Sequence, residues 1–117
     1  MKRNTLQLAF ILLIAVYFLI SCVPHTQPLA STFWRYTDED LSYELLLKSD
    51  GHLYSYHPGD ASPDNDFWKQ KGKKITFTMN DSYAVYKGKL INDSTITGIG
   101  RSKGFHWKWS AKFVTNN

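Results

Sequence analysis

The sequence predicts an all-β domain: a small antiparallel up-and-down barrel of about eight strands, preceded by a signal-peptide helix. Three observations carry this. From Thr32 onward, turn-forming residues recur about every 8 to 12 residues, the spacing of an all-β sandwich or barrel. The runs between them are short and rich in aromatic and β-branched residues, and none places apolar side chains at helical spacing. The last run alternates without a break, with Phe105, Trp107, Trp109, Ala111 and Phe113 on one face and His106, Lys108, Ser110 and Lys112 on the other. Closure removes the exposed edges that a flat antiparallel sheet would present. Two packed sheets are the alternative.

In chain order, the first run is Phe33 to Tyr36, ended by Thr37-Asp38-Glu39-Asp40. The second, Leu41 to Lys48, sets Leu41, Tyr43, Leu45 and Leu47 against Ser42, Glu44 and Lys48, and stops at Ser49-Asp50-Gly51. Asp-Gly between two such runs is a strong hairpin signal, because glycine takes the positive φ of a tight turn. His52 to His57 is the third run and Phe67 to Gln70 the fourth, with Pro58 to Asp66 as a long loop between them. The fifth, Lys74 to Met79, follows Gly72-Lys73 and alternates Ile75, Phe77 and Met79 with Thr76 and Thr78. Asn80-Asp81-Ser82 leads into Tyr83 to Leu90, and a turn around Asn92-Asp93 joins that run to Ser94 to Gly100. Arg101-Ser102-Lys103-Gly104 precedes the closing run, Phe105 to Phe113.

Ahead of the domain, Lys2 and Arg3, an apolar stretch from Leu8 to Ile20 and small Ser21 follow the plan of a secretory signal peptide. The apolar stretch is well short of the roughly 20 residues a spanning helix needs. Leu19-Ile20-Ser21-Cys22 resembles a bacterial lipobox position by position. The resemblance implies cleavage before Cys22 and lipid on its thiol, hence a cell-envelope protein held to the membrane. Val23 is not the aspartate that retains such proteins at the inner membrane in enteric-type sorting, which favours the outer membrane in a Gram-negative cell. Domain boundaries follow: signal peptide 1–21, tether 22–31 with Pro24 and Pro28, and barrel 32–117. Cys22 is the sole cysteine, so no disulfide and no cysteine-based metal site forms within one chain.

Removing the signal takes Lys2 and Arg3 with it, so 14 basic residues fall to 12 against 10 acidic ones and the net charge falls from +4 to +2. Lys71, Lys73 and Lys74 cluster at one turn, while Lys48, Lys87, Lys89, Lys108 and Lys112 read as scattered among acids. Nucleic-acid binding needs a basic stripe, and along the chain none is evident; no nucleic-acid partner is expected.

The order dGhLYsY, FWkqkGkkI, YavYkGkL, stiTGiG, GfhWkWsAkF resembles the small lipocalin-like barrels of bacterial lipoproteins, through Trp68 and Gly72, Tyr86 and Gly88, Gly98 and Gly100, and Trp107 with Ala111. The resemblance spans nearly the whole mature domain and implies a lipocalin-like fold. The Gly-x-Trp motif of eukaryotic lipocalins is absent, since Ser31-Thr32-Phe33-Trp34 lacks the glycine.

Chemistry-bearing constellations are sparse. His52 and His57, five apart on one run, point to opposite faces, and His25 lies in the tether, so no metal site is expected. Asp60, Asp64, Asn65 and Asp66 lack calcium-loop spacing. No nucleophile elbow or Ser-x-x-Lys occurs, and the only carboxylate placed on a strand is Glu44, so neither a serine hydrolase nor a paired-carboxylate glycosidase is indicated. The expectation is a non-enzyme without cofactor. Aromatics are the residues that could carry binding, and Tyr43, Tyr54, Tyr56, Trp68 and Tyr86 are the candidate ligand residues. An eight-stranded barrel either holds one small ligand or is filled by its own side chains. The expected function is a binder of a small apolar or amphiphilic ligand in or at the mouth of the barrel. The alternative is a filled barrel serving as an interaction or inhibitor module at the membrane surface, with an envelope protein as partner and with Tyr54 and Tyr56 as an exposed patch.

Overall fold

A computed structural model describes residues 27–59 and 65–116. The readings that fall on 1–26, Cys22, Val23 and His25 among them, and on Asp60 and Asp64 lie outside the described residues. Eight strands form: β1 (Thr32–Thr37), β2 (Ser42–Leu47), β3 (Leu53–Ser55), β4 (Phe67–Lys71), β5 (Lys74–Met79), β6 (Ala84–Asn92), β7 (Thr95–Ser102) and β8 (Phe105–Asn116). All pair antiparallel, in the order β3-β2-β1-β8-β7-β6-β5-β4. The outermost pair, β3 and β4, meet through the His52–Phe67 bridge and through bonds from Leu53 N to the Asp66 carbonyl and Trp68 N to the Gly51 carbonyl, both 3.0 Å. Every strand thus lies beside its chain neighbours and β8 returns to β1, giving a nearly closed up-and-down barrel. One end carries the β2–β3, β4–β5 and β6–β7 turns together with the start of β1 and the end of β8. The other, the loop end, carries the β1–β2, β5–β6 and β7–β8 turns and the β3–β4 connection.

The strand alternation decides which side chains fill the interior. Trp34, Tyr36, Leu45, Leu47, Leu53, Ile75, Phe77 and Ile96 are fully or almost fully buried, and Tyr43, Tyr86 and Trp109 nearly so. They form one cluster, against which Trp68, Trp107 and Phe113 pack in part. Each such side chain contributes about 1.5–3 kcal/mol by leaving water. Among the described residues, every strand and every member of this cluster lies within 27–116. Two glycines make room for the tryptophans. A Cβ on Gly88 would stand 2.7 Å from the Trp109 ring and one on Gly100 2.5 Å from the Trp107 ring, so both indoles lie flat against bare backbone.

The strands depart from expectation in three informative places. β3 is half its expected length, because beyond Ser55 local bonds replace the ladder: the Ser55 hydroxyl accepts from His57 N, and His57 Nδ1 accepts from Gly59 N. At the other extreme, β7 runs on to Ser102, since the β7–β8 turn needs only Lys103 and Gly104, whose φ of 48° and 79° suit a two-residue primed turn. Phe105, expected inside, is 76% exposed; it pairs with Ser102 at the rim, beyond the reach of the interior.

The described part of the expected tether is docked. Leu29 is fully buried, its N–H donates to Gln70 Oε1 at 3.1 Å, and Gln70 Nε2 donates to the Gln27 carbonyl at 2.6 Å. Thr32 Oγ1 in turn bonds the Leu29 carbonyl and accepts from Trp34 Nε1 at 2.8 Å. Leu29 therefore caps the interior at the end where β1 begins.

Candidate functional site

The interior polar groups gather at the loop end. Tyr36 from β1 donates its hydroxyl to Asp38 at 2.6 Å and accepts from Trp107 Nε1 of β8 at 2.8 Å. Asp38 also accepts from the N–H groups of Asp40 and Leu41, at 2.8 and 2.9 Å, which shapes the β1–β2 turn. Tyr43 of β2 packs against Tyr36 with ring centroids 4.7 Å apart, meets His57 edge-on at 4.9 Å, and lies across the barrel within electrostatic reach of Tyr86 of β6. Burial pushes all three tyrosine hydroxyls above the usual tyrosine range, and for Tyr36 the bond to Asp38 adds to it. They stay protonated, and Tyr36 donates to Asp38. Burial would raise Asp38, but the Tyr36 hydroxyl and the two backbone N–H groups outweigh it and hold the carboxyl below its usual range. The arrangement suits hydrogen bonding at a barrel mouth. It contains no placed nucleophile with a base.

The five aromatics singled out from the sequence fall in three places. Tyr43 and Tyr86 meet in this interior cluster. Tyr54 and Tyr56 lie outside, 40% and 52% exposed and with centroids 4.9 Å apart, as an aromatic pair on the β2–β3 surface. Trp68 points inward from β4 and donates its indole N–H to the Lys48 carbonyl at 2.7 Å, where it locks the β3–β4 seam. No single pocket unites them. Two open grooves lie on the outer wall instead. The larger, about 790 Å³, runs across β6, β7 and the β7–β8 turn between Tyr83, Val85, Lys87, Ile99, Arg101 and Phe105. The smaller, about 670 Å³, lies beside the β1–β2 turn against Thr97, Ile99 and Lys108. Among the described residues, no group of three or more His, Cys, Asp or Glu is placed to hold a metal.

One feature escaped the linear reading. Lysines that look scattered along the chain converge on one wall, because antiparallel pairing puts positions of the same parity in rows. Lys71, Lys74 and Lys89 stand directly opposite one another across β4, β5 and β6. Lys69 and Lys87 occupy the next row with Thr76 between them, continued by Ile99 and Lys108. Arg101 and His106 follow in the row beyond. From Phe67 to the end there are ten Lys and Arg, all exposed, and only Asp81 and Asp93 against them, both in turns. From residue 22 to Asp66 the chain has Arg35 and Lys48 against eight carboxylates. The ion pairs among the described residues, Arg35–Glu44 and His52–Asp50, both lie in that acidic part. The absence of any Asp or Glu from the last five strands was a readable signal; the wall it makes required the register.

Comparison with known protein families, with curated proteins and with solved structures finds no match to this chain.

Proposed function

We propose that this protein is a non-enzymatic lipoprotein of the cell envelope, held to the membrane by lipid on Cys22, whose lipocalin-like barrel is a filled module that works through its outer surface. The observation that carries this reading is where the aromatics went. Trp34, Tyr36, Tyr86, Phe77 and Trp109 occupy the space that a ligand of ordinary size, needing about 300 Å³ or more, would require. The large exposed apolar side chains, Tyr54, Tyr56, Tyr83, Ile99 and Phe105 among them, face outward. Exposed aromatics rimmed by charge are the composition of interaction surfaces.

A second reading, a small amphiphilic ligand within or at the mouth of the barrel, is favoured by one observation: the Trp109 indole N–H is buried without a hydrogen-bond acceptor among the described residues. Native mass spectrometry of the protein purified from its own host separates the two. Bare barrel is the expected species, with acyl mass confined to the peptide that contains Cys22. A stoichiometric small molecule would favour the second reading, and an unmodified Cys22 would remove the membrane anchor from the proposal.

A further inference from the structure

The basic wall is the strongest unexplained feature of the molecule. Like charges directly opposite across an antiparallel pair are destabilising, yet Lys71, Lys74 and Lys89 stand so in three consecutive strands. No carboxylate lies on any of β4 to β8 to relieve them. On the same five strands and the turns between them lie six of the nine large apolar side chains exposed among the described residues: Phe67, Tyr83, Ile91, Ile99, Phe105 and Val114. Towards the loop end of the wall, Tyr83, Ile99 and Phe105 line the larger groove, flanked by Lys87, Arg101 and Lys103. The Lys103 ammonium sits 5.0 Å from the centre of the Tyr83 ring.

We infer that this wall, centred on β6 and β7, docks on the surface of an anionic phospholipid bilayer. Cations supply attraction to the headgroups, at about 1 kcal/mol for each Lys or Arg near the surface. Aromatic and aliphatic side chains among them supply interfacial burial. The chain leads in the same direction. Gln27 and Leu29 are bonded to Gln70 of β4, so Gln27, the first described residue on the Cys22 side, lies at the end of the barrel that carries Lys71 and Lys74. Five residues reach at most about 18 Å. This orientation step rests on the lipid anchor proposed above; the charge and apolar pattern does not. Docked in this way, the barrel turns its acidic β1–β3 side, with Tyr54 and Tyr56, away from the bilayer.

The test uses the chain from Gln27 to Asn117, which contains the whole barrel and omits Cys22. It is mixed with vesicles of phosphatidylcholine alone or of phosphatidylcholine with phosphatidylglycerol, then floated. The protein should float with the phosphatidylglycerol vesicles only, and leave them as added salt shortens the screening length. Lys87→Gln with Arg101→Gln should lower the partition coefficient about 30-fold, about fivefold for each charge. Phe105→Ser should lower it further, while Lys48→Gln, on the acidic side, should leave it unchanged. Thermal melts of these exposed-site variants confirm that the barrel is intact. Equal partition to both vesicle types, no binding to the anionic ones, or the same loss from Lys48→Gln would overturn the inference. Retention on a soluble polyanion such as single-stranded DNA, with no vesicle binding, would also overturn it. Because the assay contains no Cys22, its outcome is independent of whether that residue carries lipid.

Discussion

Replacing Tyr36 by Phe isolates the hydroxyl on which the loop-end cluster converges. The ring keeps its stack on Tyr43, at 4.7 Å, and on Trp109, at 5.8 Å, so the apolar contribution is retained. Two hydrogen bonds are lost: a charge-assisted one to Asp38 at 2.6 Å and one from Trp107 Nε1 at 2.8 Å. A bond to a charged group contributes about 1.5–3 kcal/mol and a neutral one about 0.5–1.5. Asp38 is partly exposed, which places its share near the lower end, and the expected loss is about 2–3 kcal/mol. Urea unfolding followed by tryptophan fluorescence measures it as a fall in midpoint at constant slope. The effect should depend on pH. Asp38 titrates below its unfolded value, so its stabilisation is present above about pH 4 and fades as pH falls through the lower folded value. Tyr36→Phe removes one of the donors that depress it. The difference between wild type and variant should therefore be largest near neutrality and shrink in acid. A midpoint unchanged by the substitution, or a difference equal at neutral and acid pH, would refute the reasoning.

Two further outcomes follow from packing. Gly100→Ala and Gly88→Ala each push a Cβ to within 3 Å of an indole ring, and should lower stability by about 1–3 kcal/mol, read as a fall in melting temperature. Gly104→Ala, where nothing stands within 4 Å but φ is +79°, should lose a smaller amount through backbone strain alone. Leu29→Ala should cost about 2–5 kcal/mol in the same melt, as for a buried leucine in a core; a cost near zero would return residue 29 to a free tether.

Much of the barrel was legible because strands announce themselves through parity. β5 occupies Lys74–Met79 residue for residue as read, and Trp109 and Ala111 of β8 point inward as their alternation requires. Parity fails where the interior ends, which is why Phe105, correctly phased, is nevertheless outside. It also fails where side chains compete with the ladder, as at His57. The docking of Leu29 had no periodic signal at all, since it depends on Gln70, 41 residues away, receiving its backbone. Of the candidate ligand residues, the outward phase of Tyr54 and Tyr56 was readable once Leu53 was assigned inside. The junction of Tyr43 with Tyr86 was not, because it spans the barrel from β2 to β6.

By itself the sequence determined the all-β class, most of the hairpins and the inward faces of β2, β5 and the middle of β8, all of which depend on neighbours a few residues apart. Cys22 and its preceding residues likewise carry their reading locally. Only the tertiary structure decided that β3 meets β4, that the interior is filled by tyrosine and tryptophan, and that seven dispersed Lys and Arg, from Lys69 to Lys108, line up in rows on one wall. The reason is physical: alternation says which way a side chain points, whereas register and closure say what stands next to it.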